Sequence, residues 1–106
     1  MSDHIPGKME VLSGLIIHDL NLEEEKNIVL AHNLEELKSK LEKIIAYLLD
    51  NEFERLLNAM YRLDINENKF KEALAFNGSQ DISERITELI IEREVQKIET
   101  RIRYKS

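Results

Sequence analysis

The side chains able to do chemistry are few and scattered: histidines at 4, 18 and 32, a His18-Asp19 pair, and the run Tyr61-Arg62-Leu63-Asp64. Adjacent His and Asp serve metal-dependent phosphohydrolases, but such sites recruit further histidines and acids from other helices, and only two more histidines exist here. His18-Asp19 therefore reads as a solvent-facing helix end, and His32 with Glu35 or Glu36 reads the same way. A di-iron bundle needs Glu-x-x-His on two helices. The residues three before His4, His18 and His32 are Met1, Leu15 and Val29, so that motif is absent, as is His-Glu-x-x-His. The glycines stand alone at 7, 14 and 78, which leaves no dinucleotide fingerprint and no phosphate loop. With no cysteine, thiolate nucleophiles, disulfides and thiolate zinc sites are excluded as well. The expectation is a non-catalytic chain with no cofactor and no metal. Tyr61, Arg62 and Asp64 are the candidate polar cluster: an aromatic, a guanidinium and a carboxylate that together could hold a small anion or a partner's backbone. The plainer reading, adopted here, is that Arg62 and Asp64 order a turn while Tyr61 packs on its own core.

These groups must be carried by a single domain spanning 1–106, because 106 residues are too few for two independent cores and a 42% hydrophobic share is too high for a disordered chain. The 15 basic and 21 acidic residues give a net charge of −6. Residues 1–53 hold 5 basic and 11 acidic residues, and residues 54–106 hold 10 of each, so the excess belongs to the first half. Such a charge repels phosphate backbones, and no nucleic-acid partner is expected. Arg93, Lys97, Arg101, Arg103 and Lys105, against Glu94 and Glu99, form a locally basic C-terminus that reads as a solvated helix end favoured by the helix dipole. No stretch is long and apolar enough for an export signal or a membrane span, so no membrane is expected and the location read from the sequence is cytoplasmic. Asn77-Gly78-Ser79 then reads as a helix stop rather than a glycosylation site.

The hydrophobic period is helical almost throughout. Leu30, Leu34, Leu37, Leu41, Ile44 and Leu48 alternate steps of four and three along one stripe. Two starts compete for this helix: Asn21 with Glu24, giving a continuous helix from about Leu22, and Asn33 with Glu36, breaking it there. The acidic run Glu23-Glu24-Glu25 favours the continuous form. Asn51 with Glu54 offers a capping box before Phe53, Leu56, Leu57, Met60 and Leu63. Asp64 or Asn66 caps a shorter helix through Phe70, Ala73, Leu74 and Phe76, with Ile65 and Phe70 placed as a hydrophobic staple. Asp81 with Glu84 opens the last helix. Residues 1–21 are the segment of uncertain structure: Ile5, Met9, Leu12, Ile16 and Leu20 space like a helix face, while Ser13-Gly14 offers a rival hairpin. Helix is assigned.

The last helix carries the most informative pattern. Ile82, Ile86, Leu89 and Ile90 cluster on one side, and Ile91, Val95, Ile98 and Ile102 on nearly the opposite side. One neighbour cannot bury both, so the helix is sandwiched, bends, or gives its C-terminal half to another surface. Ile91, Val95, Ile98 and Ile102 have the four-three-four spacing of a helix-pairing seam and are the candidate interface. Either the N-terminal segment folds over them or a second copy pairs there as a homodimer.

The segments YRLDINENKFKEAL (61–74) and ELIIEREVQKIETRIRY (88–104), through Arg62, Asp64, Glu67, Lys71, Arg93, Gln96, Lys97 and Arg101, resemble small uncharacterised all-helical bacterial proteins. The resemblance implies the fold class and brings no activity with it. Taken together, the sequence predicts an all-α bundle of four to five helices with a long C-terminal helix. It acts by self-association or by binding another protein. The alternative is an acidic inhibitor or immunity-type protein that masks a basic nucleic-acid-binding surface.

Overall fold

The computed structural model describes residues 8–23, 31–75 and 79–105. Among these there are five helices and no strand: α1 (Lys8–Asp19), α2 (Leu34–Asn51), α3 (Phe53–Leu63), α4 (Glu67–Leu74) and α5 (Ser79–Lys105). The all-α bundle with a long C-terminal helix is the architecture expected. Ile5, Glu24, Glu25, Leu30, Phe76, Asn77 and Gly78 lie outside the described residues.

α1 is helical through Ser13-Gly14, which disposes of the hairpin. It buries Leu12, Ile16 and Ile17, and Leu20 just beyond its end, with Met9 packed at their edge. The helix ends in a left-handed turn at Asn21 (φ 57°), where Asn21 N–H donates to the His18 carbonyl and Leu22 N–H to that of Ile17. Asparagine tolerates this conformation better than most residues. Asn21 thus closes α1 instead of opening α2.

The continuous helix from Leu22 is not formed. Residues 31–33 are non-helical, and α2 begins at Leu34 with Asn33 as its cap, Oδ1 accepting from Glu36 N–H at 2.8 Å. A side-chain oxygen that satisfies an otherwise orphaned amide outweighs the diffuse attraction of acidic residues for a helix start. The apolar stripe is correspondingly shifted: Leu37, Leu41, Ile45 and Leu48 are buried, whereas Leu34 in the first turn is exposed. The expected capping box at Asn51 is also absent. Asn51 is the last residue of α2, its side-chain amide donating back to the Tyr47 carbonyl, and the break is the single residue Glu52, which makes no side-chain cap bond.

α3 buries Leu56, Ala59, Met60 and Leu63 and ends with Asp64 in the left-handed region (φ 58°). Of the two residues expected to cap α4, Asn66 does so, accepting from Lys69 N–H at 3.0 Å. Ile65 and Phe70 occupy the staple positions around it and line the same hollow. α5 is already helical at Ser79, two residues before the expected start at Asp81.

α5 lies against all four other helices, α2 most extensively. The sandwiched arrangement is therefore the one realised, and Ile86, Ile90 and Ile91 all enter the core. At about 100° per residue, Ser83, Thr87 and Glu94 fall within about 40° of one another, between Ile86 and Ile90 on one side and Ile91 and Ile98 on the other. These three are buried too. A polar seam thus runs down the middle of the buried face, bridging the two apolar clusters of the sequence.

Gly14 sits mid-α1, exposed, with nothing within 4 Å of where a Cβ would stand. Gly14→Ala is expected to stabilise the protein by about 0.5–1 kcal/mol in urea unfolding, because alanine restricts the unfolded chain without strain in the helix. A loss of stability would contradict a continuous α1.

Candidate functional site

Two places bring functional side chains together. The first is the junction of α1 with α5. Asp19, the last residue of α1, accepts from Lys97 Nζ at 2.6 Å on one carboxylate oxygen and lies 3.0 Å from His18 Nδ1 on the other. Lys97 Nζ is also 3.6 Å from Glu94 Oε1, one turn back along α5. Glu94 is 0% exposed, and neither of its oxygens has a hydrogen-bond partner. One ammonium therefore faces two carboxylates, one of them fully enclosed.

The electrostatics follow from that enclosure. Burial, then the neighbouring Asp19 carboxylate, pushes the Glu94 carboxyl up to about 7, against the pull of Lys97. Burial also acts to raise Asp19, but hydrogen bonds from Lys97 and His18 outweigh it and hold Asp19 below its ordinary value. Asp19 thus keeps the negative charge that pairs with Lys97, and Glu94 holds a proton into the neutral range. The seam above this junction is also under-satisfied: Thr87 Oγ1 on α5 and Ser13 Oγ on α1 are buried without partners.

Two arginines hold the left-handed turns that flank this region. Arg55 of α3 donates to the Asn21 carbonyl at 2.7 Å, and Arg93 of α5 donates through Nε to the Leu63 carbonyl at 2.8 Å. Each uses a charge-assisted bond to fix a carbonyl at a helix end, where no intrahelical donor remains.

The second place is an open hollow of about 280 Å³ between α3 and α4. Phe53, Leu57, Met60 and Tyr61 line one wall and Ile65, Phe70 and Leu74 the other, with Glu67 and Lys71 at the rim. Phe53 is 40% and Tyr61 68% exposed. Phe53, Leu57 and Tyr61 follow at four-residue steps, so one side of α3 is apolar toward solvent as well as toward the core.

The sequence-predicted residues divide between these places. Tyr61 does not pack on its own core but stands out beside the hollow. Arg62 is exposed on the same turn, and Asp64 orders the α3–α4 turn through its backbone, its N–H donating to the Tyr61 carbonyl at 3.1 Å; no side-chain hydrogen bond or ion pair joins the three. Of the candidate seam, Ile91 belongs to the core, Ile98 packs at its edge, Val95 is exposed and Ile102 is 61% exposed. His18 and His32 are exposed, as expected. Sequence reasoning missed Glu94, Lys97 and Asp19 as a unit. Each passed for a solvated helix-end charge, and the available signal was Glu94 standing between Ile91 and Ile98 on one face. Among the described residues no group of three or more His, Asp or Glu is placed to hold a metal, and no helix is long and apolar enough to cross a membrane.

Comparison with protein-family models, with curated proteins and with solved structures returns no match for this chain.

The junction makes stability depend on pH in two directions. Glu94, raised above its ordinary 4.5, contributes stability that is complete below that value and lost as pH climbs through about 7. Asp19, lowered from 3.8, contributes stability present above that value and lost on further acidification. Urea unfolding across pH is expected to show greatest stability at mildly acidic pH and a fall of roughly 2–3 kcal/mol toward about pH 8.5. Glu94→Gln is expected to flatten the alkaline limb and to exceed the parent at high pH. An alkaline limb unchanged in the variant would assign the effect elsewhere.

Proposed function

We propose that this chain is a non-catalytic helical module that works by association, and that its α3–α4 hollow receives a second copy of the chain. The observation that supports this reading is an apolar hollow with an exposed aromatic, Tyr61, at its wall. A two-fold interface uses the same patch on both protomers, so each must offer both a projection and a cavity. This patch offers both. Glu67 and Lys71, one turn apart on the rim of α4, would face each other's counterparts in such a pairing and add charge complementarity. Neither the enclosed Glu94 junction nor the hollow presents a nucleophile with a base beside it, which is why association is preferred to catalysis.

The test is the absolute mass in solution by light scattering across a concentration series. A dimer is expected in the parent. Tyr61→Asp is expected to weaken it at least about tenfold with unchanged helicity, since a residue this exposed contributes little to the monomer's core. A parent that stays monomeric at high micromolar concentration contradicts the proposal. A dimer disrupted by Ile102→Asp but not by Tyr61→Asp would transfer the interface to the end of α5.

The acidic-inhibitor reading draws on one observation. Glu42 on α2 is raised by burial and by the nearby Glu84 and Glu88 carboxylates of α5, so these acids share one side of the bundle. Capture of a basic nucleic-acid-binding domain that is abolished by moderate salt would favour it, and salt-indifferent binding would count against it.

A further inference from the structure

The α1–α5 junction carries an inference of its own, independent of any partner. α1 packs on α5 and α3, while α2, α3 and α4 are each also packed on α5. Removing α1 therefore leaves the contacts among α2, α3, α4 and α5 in place. The attachment of α1 also buries polar groups. The helix carries Ser13, buried and unpartnered, and its end abuts the enclosed carboxylate of Glu94, which has no hydrogen bond of its own.

We propose that α1 is a proton-linked strap: it lies closed on α5 while the Glu94 site is protonated, and it opens ahead of the rest of the bundle when that site gives up its proton. The charged groups around Glu94 are Asp19 from α1 and Lys97 from α5, with His18 acting on Asp19. From α3, Arg55 is directed at the Asn21 carbonyl beyond the end of α1. From α2, Glu42 faces Glu84 and Glu88, closer to the start of α5. With Glu94 neutral, Lys97 is matched to Asp19 at 2.6 Å and the junction is balanced. With Glu94 ionised, two carboxylates compete for one ammonium, one of them wholly enclosed, and the excess charge is relieved when the end of α1 moves away. Opening admits water to Glu94 while α2, α3 and α4 stay packed on α5.

Amide hydrogen exchange on the full chain tests this, with rates corrected for their intrinsic pH dependence. At about pH 5.5 the α1 amides from Leu12 to Leu20 are expected to be less protected than the α2 amides from Leu37 to Leu48, because α1 opens without global unfolding. By about pH 8.5 α1 protection is expected to fall a further 10- to 100-fold. Glu94→Gln is expected to abolish that fall while keeping α1 the less protected helix. Equal protection of α1 and α2 would overturn the strap, since α1 would then open only with the whole protein. A fall that persists in Glu94→Gln would overturn the proton linkage.

Discussion

A 27-residue helix that touches the four other described helices must be covered over most of its circumference, and the rest of this structure is arranged around that demand. α5 meets it with two apolar clusters and a polar seam between them. Ile86 and Ile90 form one cluster, and Ile91 with Ile98 the other. Ser83, Thr87 and Glu94 fill the arc that joins them, so no neighbour can avoid burying polar atoms. Thr87 Oγ1, Ser13 Oγ on α1 and the Glu94 carboxyl are enclosed without hydrogen-bond partners, each a destabilising feature in an interior of low polarity. The bundle tolerates them because the apolar side chains on both flanks are packed from two directions.

The short connections follow from the same demand. α3 and α4 are brief, and each must turn sharply to stay on α5. Asp64 adopts the left-handed conformation at one turn and Asn21 at another, without glycine at either. Arg93 and Arg55 reach across from neighbouring helices to hold the carbonyls these turns present. α5 thus supplies the surface, one of the arginines and the cation at the α1 junction.

Much of this was legible in the sequence. The helices, the Asn66 cap with its Ile65–Phe70 staple, and the conflict of apolar faces on α5 follow from periodicity and local capping chemistry, which act over three or four residues. What was not legible depended on tertiary partners. Asn21 and Asn33 are both sound caps in isolation, and only the turn closed by Asn21 decides that the first ends α1 and the second begins α2. Glu94 and Lys97, one turn apart on a charged helix, look solvated until α1 is laid over them. Tyr61 looked like a core aromatic because its exposure depends on where α4 leaves α3. Of the residues read from the sequence as a polar cluster, Asp64 orders the turn through its backbone, while Tyr61 borders an apolar hollow instead of packing on the core.

At the seam with α1, α5 encloses a carboxyl that holds its proton into the neutral range. The most direct measurement is a carbon-detected NMR titration of the Glu94 side-chain carboxyl in the folded protein. A midpoint near 7, moving to lower pH when Asp19 is replaced by Asn, is the expected result. A midpoint at the ordinary glutamate value of 4.5 would contradict it, placing Glu94 in water and leaving α1 without the junction described.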